Sequence, residues 1–138
     1  AEFRLRPTHE PLWTSISEAV VGSLEANFGD LAAVENIVPD RRELAEIRQL
    51  LMMPEIRNAV SSDLFDDWAA AIAERTGTDP DRDLYPRLVV AVARAVVDTA
   101  MEAYATAEPP VAITALMRRG FNTVAAGLPE PKTGQEKP

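Results

Sequence analysis

LYPRLVVAVARAVVDTAMEAYA, residues 84–105, is apolar on nearly every side. Plotted at 3.6 residues per turn, it makes a helix over Asp83–Ala105 interrupted only by a narrow polar stripe: Arg87, Arg94, Asp98 and Glu102. A helix that is apolar on most faces must be buried on most faces. One small helical domain can cover a single wide face of it. The remainder calls for a second partner: another subunit, a ligand, or both. The segment Pro110–Ala126 forms the companion helix, with Ile113, Leu116, Met117, Gly120, Phe121 and Val124 along one side. This pair points to a sensing and dimerising module rather than a self-contained enzyme.

Composition narrows the class. The 138 residues suit one domain and suffice for a real core. Hydrophobic residues make up 46% and aromatic residues 6%, with alanine abundant, which favours closely packed helices over a sheet. A formal net charge of −8 repels phosphate backbones, so the chain by itself is not expected to bind nucleic acid. With no cysteine there are no disulfides and no thiolate metal sites. No signal peptide or membrane-length apolar run is present, and a cytoplasmic location is the expectation. The opening Ala1-Glu2-Phe3-Arg4-Leu5-Arg6 reads as the last turns of a helix already under way, so a further segment is expected ahead of it.

Along the chain, Thr8-His9-Glu10-Pro11 starts a helix carrying Leu12, Ile16, Ala19, Val20, Leu24 and Phe28. Gly29-Asp30 ends it, and residues 31–38 form an irregular turn or two. Pro39-Asp40 restarts helix, with Leu44, Ile47 and Leu51 as its buried stripe. Pro54 bends or breaks the chain. One long helix then carries Ile56, Val60, Leu64, Trp68, Ala71 and Ile72, with Asp63, Asp66, Asp67 and Glu74 on its wetter side, until Gly77 supplies a left-handed cap. Asp79, Asp81 and Asp83 belong to an acidic helix-start turn. The expected architecture is an all-α bundle of about five helices over residues 1–128, followed by a polar, disordered tail over 129–138.

No catalytic residue, metal site or cofactor is expected. The single histidine, His9, sits at a helix entrance and suits capping or surface contact. Asp66 and Asp67 are adjacent on a helix and point about 100° apart, so they do not converge on a metal. Asp79, Asp81 and Asp83 resemble the start of a calcium loop, but the glycine and closing glutamate are missing and Pro80 intrudes. No glycine-rich phosphate loop or nucleophile elbow occurs.

Binding is the chemistry left open. If the middle helices enclose a cavity, its natural apolar lining is Trp13, Phe28, Met52, Phe65, Trp68, Met101 and Tyr104, with Met53 beside them and Arg94, Asp98, Thr99 and Tyr104 as the polar candidates. The same side chains suit plain core equally well. Arg94 and Asp98 stand one turn apart, where they either pair, face a polar pocket or face solvent. For the association surface the candidates are Val89, Val92, Val96, Ile113, Leu116, Met117, Gly120, Phe121 and Val124, in an intersubunit four-helix bundle built from the last two helices of each copy. Gly120 in mid-helix costs ~1 kcal/mol relative to alanine, a cost accepted where another helix comes close.

Several stretches together resemble the C-terminal regulatory domain of TetR-family transcriptional regulators. They are Arg41-Arg-Glu-Leu-Ala-Glu-Ile-Arg-Gln-Leu-Leu51, Met53-Pro54-Glu55-Ile56-Arg57, the Ala-Ala-Ala-Ile-Ala-Glu-Arg-Thr-Gly run at 69–77, and Asp79-Pro80-Asp81 before Leu84-Tyr85-Pro86-Arg87-Leu88. Arg6-Pro7-Thr8-His9-Glu10-Pro11 resembles the link after the family's fourth helix. The resemblance implies a homodimer, a small-molecule effector, and operator DNA bound by an N-terminal helix-turn-helix that has no counterpart in these 138 residues. It implies a repressor released from DNA when the effector favours one conformation over the other. The helix Arg41–Met53 would be the lever and Pro54 its pivot. A helical module that docks a partner protein through the same apolar helices is the competing reading.

Overall fold

The computed structural model describes residues 2–28, 45–46, 48–50, 52–108 and 111–131. The expectations at Gly29-Asp30, residues 31–38, Pro39-Asp40, Leu44, Ile47, Leu51, Pro109-Pro110 and the tail from 132 onward lie outside these residues, as does the side chain of Phe28. The described residues are all-helical, without a strand. A short 3-10 turn, Glu2–Leu5, is followed by α1 (Leu12–Phe28), α2 (Pro54–Leu64), α3 (Trp68–Thr76), α4 (Leu84–Thr106) and α5 (Ile113–Ala125). Residues 45–46 and 48–50 are also helical.

The amphipathic spacing decides which faces meet. On α1, Ile16, Ala19, Val20 and Leu24 recur at three- and four-residue intervals and are buried, with Ser15 and Ser17 beside them. This face lies along α5, and α5 in turn packs on α4. α2 and α3 cover another side of α4, while the 3-10 turn sits against α1 and α3. One continuous core results, running from Phe3 and Trp68 through Val97 and Met101 to Met117 and Phe121.

The long helix expected after Pro54 is two helices. Residues 65–67 form a turn, and Asp67 adopts the left-handed conformation at φ 63°. Aspartate tolerates that conformation better than most residues. The break lets Phe65 and Trp68 both face inward, their rings edge to face at 5.0 Å. The start and stop signals fared better. Pro54 opens α2 at a position where its missing N–H costs nothing. Gly77, at φ 70°, closes α3, and the Thr78 N–H returns to the Ala73 carbonyl.

The acidic turn before α4 is held by its own aspartates. Asp79 accepts hydrogen bonds from the Asp81 and Arg82 amides, and Asp83 accepts one from the Asp79 amide at 2.8 Å. The Asp83 side chain therefore closes the turn instead of capping α4. Residues 2–5, read as the end of an incoming helix, form a 3-10 turn whose Phe3 is buried against Trp68 at 5.2 Å.

Candidate ligand and association surfaces

α4 and α5 are held so close that their contact requires glycine. A Cβ built on Gly120 would lie 2.7 Å from Cγ1 of Val96, nearer than any real contact allows. Beside this close approach the two helices leave an open groove of about 670 Å³, walled by Val92, Val96, Ala100, Leu116, Val124 and Leu128. Leu84 and Leu88 continue the same side of α4 toward its N-terminus, spaced four residues apart, and both are exposed. An apolar strip of this extent is uncommon on a monomer that works alone.

The nine residues expected at an association surface divide between two places. Val92, Val96, Leu116, Gly120 and Val124 line the groove. Val89, Ile113, Met117 and Phe121 are buried in the chain's own core. Phe121 stacks on Trp13 of α1 with ring centroids 6.3 Å apart. An amphipathic α5 explains the division, since its two apolar edges serve α1 on one side and the groove on the other.

A second, smaller recess of about 420 Å³ adjoins the groove along α4. It is lined by Met52, Arg57, Thr99, Glu102, Ala103 and Thr106, and it shares Thr99 and Ala103 with the groove. Arg57, near the start of α2, reaches α4 through Nη1, which donates to Glu102 at 2.5 Å and lies 3.2 Å from Asp98. The hydrogen bond to Glu102 is the main reason the Arg57 pKa is raised. On the other side of Pro54, Arg48 donates to the Ala107 carbonyl and lies over the Tyr104 ring at 5.8 Å. Burial pushes the Tyr104 hydroxyl pKa up, and the nearby guanidinium opposes that shift. Two arginines thus tie both arms of the Pro54 corner to the C-terminal third of α4.

Of the eight residues expected to line a ligand cavity, Met52 borders this recess. Phe65, Trp68, Met101 and Tyr104 are buried in the core, Trp13 is half-buried against Phe121, and Arg94 is exposed. Asp98 pairs with Arg57 of α2, not with Arg94. Sequence reasoning passed over Arg48 and Arg57, although they flank the proline that was singled out. No group of three or more histidine or acidic side chains is placed to hold a metal among the described residues.

A protein-family model described as the MftR C-terminal domain matches residues 10–129. The chain belongs to the TetR family, as its C-terminal domain. No curated protein and no solved structure matches the chain. As a TetR C-terminal domain it is a regulatory domain, and the groove and the Arg57 recess are its two candidate surfaces. No helix among the described residues of this TetR domain is long and apolar enough to cross a membrane.

Proposed function

We propose that this TetR C-terminal domain joins two copies of a DNA-binding repressor and senses a small, largely apolar effector that releases the repressor from its operator. The observation that carries the reading is the apolar groove between α4 and α5, extended by the exposed Leu84 and Leu88. A second copy related by a two-fold axis would place α4 and α5 of each subunit in one four-helix bundle. Such an interface is self-complementary, so one apolar strip serves both partners. Contact with DNA belongs to a helix-turn-helix segment, since the charge of −8 on these residues opposes it.

The effector acts through α4. That helix borders the groove and also carries the Arg57 and Arg48 ties. A ligand that prefers one arrangement of the Pro54 corner would shift the position of α4 and hence the spacing of the two subunits. Val92→Glu and Val124→Glu test the association half. Each places a charge in the groove at a side chain that is only partly buried. Light scattering after size exclusion is expected to give a dimer for the native chain and folded monomers for both variants. Dimeric variants would move the interface elsewhere.

A further inference from the structure

Among α1–α5, α2 alone buries no residue. The others each bury four or more. Val60 and Leu64 of α2 reach the edge of the core and are only partly buried. Of these helices, α4 is the one on which α2 chiefly packs. Charge fixes it there near its N-terminal end. The Arg57 side chain, 13% exposed, meets Asp98 and Glu102, which are 50% and 56% exposed. The docked state also carries a cost, because the Arg57 Nε is buried without an acceptor. Both ends of the helix are chain breaks: Pro54 opens it, and the left-handed Asp67 separates it from α3. Buried Phe65 pins the C-terminal end to the core.

From this arrangement we infer that α2 is a salt-sensitive flap: residues 54–64 leave α4 as one unit while the other helices stay folded, and Arg57 is the catch. An ion pair whose acids are half exposed weakens as salt screens it. The apolar packing that holds α1, α3, α4 and α5 has no such dependence. A released α2 does not persist as a helix, since its 11 residues are too few for a stable isolated helix in water. Undocking is therefore a local unfolding, which proceeds at a lower free energy than unfolding of the whole domain. It also opens a site. Arg57 is a wall of the recess of about 420 Å³, and its departure uncovers Thr99, Glu102 and Thr106 on α4. The flap is thus the way into that recess, a consequence that rests on the effector-sensing reading above.

Amide hydrogen exchange tests the flap without any ligand, on the native chain, on the double variant Asp98→Asn/Glu102→Gln and on Arg57→Met. Thermal melts confirm that each variant folds, and rates are corrected for intrinsic exchange in each buffer. In the native chain, raising sodium chloride from about 50 mM to about 500 mM is expected to speed exchange of the α2 amides about threefold or more, with α3, α4 and α5 unaffected. The double variant is expected to exchange α2 about tenfold faster at low salt and to lose the salt response. Arg57→Met keeps an unbranched apolar stem without the charge, and it is expected to lose the salt response as well. Equal α2 exchange at both salt concentrations in the native chain, or a salt response retained in either variant, would overturn the proposal. So would α2 amides that exchange only together with those of α3 and α4, because no unit then opens by itself. These readouts involve no effector. Their failure sinks the flap and leaves the effector reading standing, and a moving flap in a chain that binds no effector does the reverse.

Discussion

Gly120 on α5 faces Val96 on α4 with no room for a methyl group between them: the missing Cβ would sit 2.7 Å from Val96 Cγ1. Both residues also border the apolar groove, so this contact sets the groove's depth and the angle of its walls. Gly120→Ala raises intrinsic helix propensity by ~1 kcal/mol, yet the overlap must force the helices apart or distort the stiff valine rotamer. The overlap is expected to win, with a net loss of roughly 1–3 kcal/mol in urea denaturation. Val96→Ala in the same chain is expected to recover part of that loss. A Gly120→Ala variant more stable than the native chain would mean that the helices do not meet this closely.

Phe121→Ala is expected to cost about 3–5 kcal/mol of folding stability, because its ring is buried against Trp13 of the same chain. The loss should persist in a monomeric Val92→Glu background, where no subunit contact contributes to unfolding. If Phe121→Ala instead left the fold intact and only abolished association, the residue would belong to the subunit interface.

Acid stability follows from Glu10. Arg6 and the Ser15 hydroxyl hydrogen-bond to its carboxylate and hold its pKa at about 2 instead of the usual 4.5. A carboxyl depressed in the folded state stabilises the fold above its unfolded pKa. That contribution fades as pH falls from about 4.5 toward 2. Glu10→Gln is expected to lower the melting temperature at neutral pH and to flatten its fall across this window. The same slope in variant and native chain would assign the acid lability to other carboxylates.

Arg75 fastens the N-terminal segment to α3. It donates to the Ser15 hydroxyl at 2.6 Å and to the Glu10 carbonyl, and it lies over the Phe3 ring at 5.5 Å. Arg75→Lys keeps the charge but not the planar fork, and it is not expected to rescue what Arg75→Ala loses. Hydrogen exchange at residues 2–11 is expected to quicken in both variants while α4 and α5 stay protected. Unchanged exchange would mean that Phe3 packing alone holds the segment.

Much of the architecture was legible because it rests on local signals. Pro54 and Gly77 mark helix ends through their own backbone chemistry, and α1 shows its buried face by spacing alone. The break at residues 65–67 was hidden because the left-handed Asp67 turns Trp68 inward onto Phe3, a contact made across the fold that no local signal announces. The groove was readable in outline, since α4 carries more apolar surface than one domain can cover. Which edge of α5 faces inward was not, because Phe121 and Val124 are equally apolar and only α1 decides between them. Arg57 escaped notice for a related reason. Its partners Asp98 and Glu102 lie more than forty positions away, and a lone arginine on a polar helix face gives no sequence signal.

The central claim is that the α4–α5 groove joins two copies of this chain. Sedimentation equilibrium across a dilution series tests it most directly. The account predicts a dimer that persists into the low-micromolar range, equivalent to about −8 kcal/mol of association free energy. A monomer at every concentration, with its helices intact, would contradict it.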